Sequence, residues 1–359
     1  MNLLLDALST LFEQVGEGMA KPEILQIVVP PLWQRWNALS DTDRSLFAVM
    51  EAVSSIVRAV GLEFSEYAMP VFTRCLRLIE HTVIIVASTA DAGVDPQSID
   101  REFMVTSLDL LSSMAEGFEG HFDALIQNSN FVPLLMEVLK DTDNDVSQVS
   151  FGLVGDIAKC APNQIRQHVA AIVALLCKQM YPVNHVSTSI NAVWSIGEIS
   201  VSLKEELKPF VSEIFDKLII LLQKDNLEKG LRENLAITIG RLAMNNADVI
   251  SLRLDEFFVK WCTEMQESVF KESDEEKKAA AQGMCFAIMQ NPAAVAPHLG
   301  YLLMMIFRWK NLNSESELLE FFKSFLRELR DKLHQAHLWQ AATSPLPPQL
   351  KQDVNTFLQ

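Results

Sequence analysis

Apolar residues recur along almost the whole chain with the three- and four-residue spacing of amphipathic helices, and that recurrence is itself repeated. QVSFGLVGDIAK (148–159), NAVWSIGEIS (191–200), NLAITIGRLAM (234–244) and AQGMCFAIM (281–289) each set a glycine at the same point of an apolar helix. These are Gly155, Gly197, Gly240 and Gly283, with steps of 42, 43 and 43 residues. One period upstream the slot holds Ser113 in LDLLSSMAEG (108–117), and EAVSSIVRAV (51–60) and DALSTLFEQV (6–15) repeat the pattern with Ser55 and Thr10. The Ser55 copy is displaced by an inserted loop. A glycine in mid-helix costs roughly 0.5–1 kcal/mol relative to alanine. Its periodic return therefore predicts a repeated close approach of helix backbones.

Partner helices are expected near 22–38, 65–86, 121–139, 165–179, 208–223, 251–266 and 295–309, with Pro30, Pro31, Pro70 and Pro133 kinking them or marking their first turns. Helix starts are signalled by SDTD (40–43), by DTDND (141–145), and by a capping box with Ser273 and Glu276. GEG (16–18) and GFEG (117–120) are expected to cap helix ends. Two helices every 40–47 residues fit a HEAT or armadillo array. The predicted fold is an all-α solenoid of HEAT repeats, about eight helix pairs in a right-handed superhelical arch. It fills residues 1–359 as one domain, with a long loop near 87–102 and a Pro-rich break at 344–348. The chain opens on a slot helix with no partner before it, so it reads as a piece of a longer solenoid.

The chemistry narrows the function. The 359 residues carry 46 Asp+Glu against 30 Lys+Arg, a net charge of −16, which disfavours nucleic acid and favours a basic partner. The five cysteines, at 75, 160, 177, 262 and 285, form no CxxC pair and read as free thiols in a reducing compartment. No apolar run is long enough for a membrane span, and the opening MNLLLDALSTLF carries Asp6 and no basic n-region. No phosphate loop, HExxH or nucleophile elbow is present, and HQAH (334–337) has no third ligand in view. No enzyme, cofactor or metal is expected.

The candidate binding residues lie on the slot helices. Trp194 and Ile237 both stand three residues before their slot glycines and are expected side by side on one surface. Asp109 and Glu116 are seven apart on one helix face, and Asp156 follows Gly155. An aromatic and an aliphatic residue rimmed by carboxylates would seat a peptide with apolar and basic residues.

MVTSLDLLSSMAEG (104–117), QVSFGLVGDIAK, INAVWSIGEIS (190–200), ENLAITIGRLA (233–243), KPEILQIVVPPLWQRWNALSDTDRSLFAVMEAVSS (21–55) and SPLPPQLKQDVNTFL (344–358) resemble the C-terminal half of the transportin (karyopherin beta 2) family of the importin-beta superfamily. The resemblance runs in order over essentially the whole chain. It implies nuclear import receptors that shuttle between cytoplasm and nucleus. They take extended nuclear localisation signals from cargo, often RNA-binding proteins, and release it to Ran-GTP; nucleoporins are further expected partners. It implies apolar contacts from Trp194 and Ile237 with Val105 and Val186 beside them, where the valines replace larger aliphatics. It further implies acidic contacts from Asp109, Glu116 and Asp156, and polar ones from Gln148, Asn191 and Asn234. The Ran-binding repeats belong to other parts of the family's length, so tight Ran binding and full cargo affinity are not expected of this chain alone. The competing expectation is a HEAT scaffold for folded partners, such as a phosphatase subunit, gripping them through inter-helix loops.

Overall fold

The structure is a computed structural model that describes residues 2–91, 95, 98–181, 185–267, 275–309 and 312–358. All regular structure among these residues is helical. Two compact units divide the chain, Met1–Glu198 and Ile199–Gln359.

The first unit contains α1 (Asn2–Val15), α2 (Pro22–Ala38), α3 (Leu46–Val60), α4 (Ser65–Asp91), α5 (Glu102–Phe118), α6 (Asp123–Ile126), α7 (Phe131–Val138), α8 (Asn144–Cys160), α9 (Pro162–Ile165) and α10 (Val169–Gln179). It also takes most of α11 (Val186–Leu203), which the boundary divides. The slot helices α1, α3, α5 and α8 pack in sequence, each against the next, and the partner helices α2 and α4 pack on α3 and α5. Val49, Val53, Ile56, Leu108, Leu111, Phe151 and Val154 are buried between them. Proline fixes the first turn of the long α2 and of the short α7 and α9, where its missing N–H has no helical acceptor to lose.

The second unit contains α12 (Val211–Leu222), α13 (Lys229–Ile250), α14 (Leu254–Glu267), α15 (Glu275–Gln290), α16 (Pro292–Val295), α17 (Leu299–Phe307), α18 (Ser316–Gln335), α19 (Trp339–Thr343) and α20 (Pro348–Leu358). Its tightest seam joins α13 to α15. A Cβ at Gly283 would overlap the carbonyl oxygen of Gly240 and sit 2.8 Å from the backbone nitrogen of Met244, and one at Gly240 would sit 2.7 Å from Cα of Ala280. At these two slots the period read in the sequence is a contact of backbone on backbone. Trp261 locks the partner layer on, donating from Nε1 to the carbonyl of Ala236 at 2.7 Å from a fully buried position.

Local signals hold in part. Asp143 caps α8, accepting from the backbone nitrogens of Asp145 and Val146 at 3.0 and 3.1 Å. Pro30, Pro31 and Pro70 lie inside α2 and α4. The capping box at Ser273 lies outside the described residues. Two expectations need correction. The loop expected from residue 87 begins later, because α4 continues to Asp91; the Thr89 hydroxyl donates to the helix carbonyl of Ile85 at 2.7 Å and keeps that turn intact. Gly117 does not cap α5: it lies inside the helix, where a Cβ would meet the carbonyl group of Val57, and the left-handed turn falls on Glu119 at φ 47°. Packing against α3 claims the glycine, so the turn goes to the next free residue.

Gly283→Ala is expected to destabilise the chain by about 1–3 kcal/mol, since backbone cannot yield to the added methyl. Gly152→Ala, whose Cβ would meet only the Asn191 side-chain amide at 3.3 Å, is expected to be near neutral. Urea midpoints followed by circular dichroism would separate the two, and equal midpoints would remove the seam from the account.

Candidate functional site

Three slot helices of the first unit carry charged residues in one register. Counted from the slot at Thr10, Ser55 and Ser113, the positions four before and three after are Asp6 and Glu13 on α1, Glu51 and Arg58 on α3, and Asp109 and Glu116 on α5. Seven residues are two helical turns, so each pair shares a face. With α1 on α3 and α3 on α5, the faces close on a hollow of about 510 Å³ lined by Asp6, Glu13, Glu51, Arg58 and Asp109 among others. Ser55 donates to Glu13 Oε1 at 2.8 Å, and Arg58 Nε pairs with Glu116 Oε2 at 2.7 Å. One guanidinium thus faces a set of carboxylates it cannot neutralise.

The confinement shows in the acids. Asp109 reaches solvent, but the helices around it displace much of its hydration; this desolvation raises its pKa to about 6, against the pull of Arg58 and with a small push from Glu51. Glu51 is also raised, first by desolvation and then by the charges of Asp6 and Glu102.

A second hollow of about 550 Å³ opens between α5 and α8, lined by Glu116, Glu119, Asp156, Lys159 and Cys160 among others. Asp156 is 6% exposed and accepts a hydrogen bond from the Ser112 hydroxyl. Burial pushes its pKa up to about 7, with the Ser112 bond opposing and Glu116 assisting. Asp156 is therefore not a solvated acid; it is a buried carboxyl tied to α5.

Trp194 is half-buried on α11. Its ring lies over Gly155 so closely that a Cβ there would fall 2.7 Å from ring atom Cε3. The slot glycine of α8 is thus the seat of the tryptophan. Hydrogen bonds fix the register of α11 on α8: Asn191 Nδ2 donates to the carbonyl of Gln148 at 2.8 Å, and Ser195 Oγ to that of Phe151 at 2.5 Å. Gln148, Asn191, Val105 and Val186 are half-buried. In the second unit Ile237 is 8% exposed, and the Asn234 side chain donates back to Gly230 of its own helix at 2.9 Å. In the first unit Asp109 lines one hollow, Glu116 and Asp156 line the other, and Trp194, Gln148 and Asn191 lie at the contact of α8 with α11; Ile237 and Asn234 belong to the second unit.

Sequence reasoning missed Asp6, Glu13, Glu51 and Arg58. The signal was available: all stand at the same offsets from the slot as Asp109 and Glu116. Among the described residues no cluster of His, Cys, Asp and Glu could hold a metal ion, and no helix is long and apolar enough to cross a membrane.

This alternation of slot and partner helices is that of the HEAT and armadillo solenoids. Yeast importin-beta (Kap95p) superposes on it with a TM-score of 0.56 at 14% identity, over 96% of this chain and 42% of that one. No family model matches the sequence. Among curated proteins, transportin-1 of Homo sapiens is 32% identical over 99% of this chain and 39% of its own length. Transportin of Dictyostelium discoideum is 33% identical over 98% and 37%. The chain is a homologue of the transportins along its whole sequence, and it spans about two-fifths of the length of these relatives.

The buried carboxyl makes a pH prediction. Asp156 holds its proton more tightly when folded, at about 7, than at the usual carboxyl value of 3.8. Its protonated form therefore favours the fold, and the stability this adds at low pH is lost as pH rises from the usual carboxyl range through about 7. Asp156→Asn, neutral at every pH, should raise the melting temperature at pH 8 by a few degrees, with the gain shrinking toward pH 4. A gain equal at both pH values would assign the effect to something other than the charge.

Proposed function

We propose that the chain is the part of a nuclear import receptor, working between cytoplasm and nucleus, that holds an extended basic and apolar localisation signal of a cargo protein. The single observation that carries this is the hollow between α1, α3 and α5, where Asp6, Glu13, Glu51 and Asp109 face one another and Arg58 is the one cation among the described lining residues. Homology to the transportins supports the reading. An unfolded segment suits the site, because its lysines or arginines reach carboxylates set along successive helices while its backbone stays extended. Trp194 supplies an apolar surface on the same unit, rigid because Gly155 lies directly beneath the ring. Asp109, Glu116 and Asp156 hold cationic side chains in this reading, with Gln148, Asn191 and Asn234 serving the peptide backbone. Val105, Val186 and Ile237 serve its apolar residues.

A scaffold for folded partners is favoured by a different observation. Leu62 and Leu252 stand at turns between helices and are 46% and 75% exposed. Competition separates the readings, since a scaffold gripping folded surfaces would ignore short peptides.

A fluorescent basic and apolar signal peptide titrated into the chain should bind with an affinity that falls as salt rises. Trp194→Ala should cost about 2–4 kcal/mol as an aromatic anchor, and Glu13→Gln with Asp109→Asn should flatten the salt dependence. Circular dichroism would confirm that both variants fold. Undiminished binding by the folded variants would return Trp194 and the acids to structural roles.

A further inference from the structure

The charged register of the first unit has one exception. Among the positions four before and three after the slots of α1, α3 and α5, all are acidic except Arg58. Arg58 lines the hollow of Asp6, Glu13, Glu51 and Asp109. Yet its Nε donates to Glu116 Oε2 at 2.7 Å, and Glu116 lines the other hollow, with Asp156. One side chain thus joins the two acidic hollows, and its charge favours the ionised form of an acid in each, Asp109 and Asp156.

This bridge is not what holds the helices together. At the adjoining residues, Val57 and Gly117, the backbones of α3 and α5 already touch. A Cβ on Gly117 would lie 3.0 Å from the Val57 carbonyl carbon, and one on Gly61 would lie 2.8 Å from the Gly117 oxygen. The side chains of Arg58 and Glu116 are 47% and 48% exposed, and the bond runs through Nε alone among the described residues. An exposed ion pair held by one hydrogen bond contributes little to stability. It can open without loss of the fold. A guanidinium on this carboxylate is also what a bound basic segment would present.

We propose that Arg58 is a built-in competitor: it holds Glu116 in the free chain, and an arginine or lysine of an incoming segment must displace it to take that carboxylate. The proposal rests on the signal-binding reading and adds a control on it. A tethered guanidinium is always at hand. It lowers the affinity of every cationic segment that uses Glu116. Segments with few further contacts are then shed, while those that also reach the remaining carboxylates and the Trp194 ring are kept. Arg58 is in this sense a specificity-determining residue that need not touch the ligand.

The test titrates a fluorescein-labelled disordered peptide, rich in arginine with interspersed leucines, into the whole chain by anisotropy. Arg58→Gln should tighten binding about fivefold, the upper range for an exposed ion pair. Arg44→Gln removes the same charge from a bridge to Asp100 and Glu102, outside the lining of both hollows. It should change affinity by less than about twofold. Glu116→Gln should weaken binding only slightly in the otherwise unaltered chain, where Arg58 already holds that carboxylate. In the Arg58→Gln background it should weaken binding about fivefold, and this coupling is the mark of displacement. The Nε–H resonance of Arg58, assigned by its loss in Arg58→Gln, should leave its free-chain position as peptide is added. With every variant folded by circular dichroism, three results would each overturn the proposal and leave the signal-binding reading in place. They are equal affinity in Arg58→Gln, an equal gain in Arg44→Gln, and additive effects of the Arg58 and Glu116 changes. Absence of binding by the unaltered chain and by all variants would overturn both.

Discussion

The closest constraint in this molecule is the distance between neighbouring slot helices. Where Gly283 meets the carbonyl of Gly240, the backbones approach until no side chain fits between them. Such an approach has consequences well beyond the seam. It fixes the rotation of each helix about its own axis, since only one residue per helix can face the contact. Every other position then has a determined direction. In the first unit the packing of α1, α3 and α5 brings Asp6, Glu13, Glu51 and Asp109 to a common hollow, while Val53, Ile56, Leu108 and Leu111 turn into the core. The small residue costs helix propensity locally and repays it through close packing on both sides.

The same device does different work where the slot is filled differently. At Gly155 the space goes to the Trp194 ring rather than to backbone, so the glycine builds an aromatic surface. At Ser55 and Ser113 the slot hydroxyls donate, Ser55 to Glu13 of the neighbouring helix and Ser113 to the carbonyl of Asp109 one turn back. Small residues are thus not interchangeable along the array. Glycine admits a backbone or a ring, whereas serine fills its space and spends a hydrogen bond on holding a carboxylate or its own helix.

Much of this was legible because the repeat is written in residue size. The glycines, the helix alternation and the Asp143 cap follow from spacing and from the few side chains able to satisfy a helix start. What escaped has a physical cause in each case. The acids of α1 and α3 hide behind an irregular step of 58 residues between Ser55 and Ser113, so their register with Asp109 emerges only when helices are aligned on the slot. The left-handed turn at Glu119 could not be foreseen, because a nearby glycine was the better candidate until packing claimed it. Asp156 is tied to Ser112 of the preceding slot helix, a contact 44 residues away that no local pattern encodes. Sequence periodicity reports the contact that recurs; it is silent on contacts made once.

The raised carboxyls tie fold to binding. Asp156 is raised to about 7 because its ionised form is poorly hydrated among the helices, and Asp109, which still reaches solvent, is raised to about 6 by partial desolvation. In a chain of net charge −16, nearby groups such as Glu51 and Glu116 add to that penalty. The charged form of each acid is a state the fold tolerates at a cost, and the cost is large near neutral pH. A lysine or arginine entering either hollow would supply the missing counter-charge and draw the carboxyl toward ionisation. Part of the affinity for a cationic segment then comes from relieving a strain already present in the free protein, and by linkage such binding expels protons. Solvated surface acids could not act this way, because water already satisfies them. Desolvation by close-packed slot helices is thus what turns an acidic surface into a selective one.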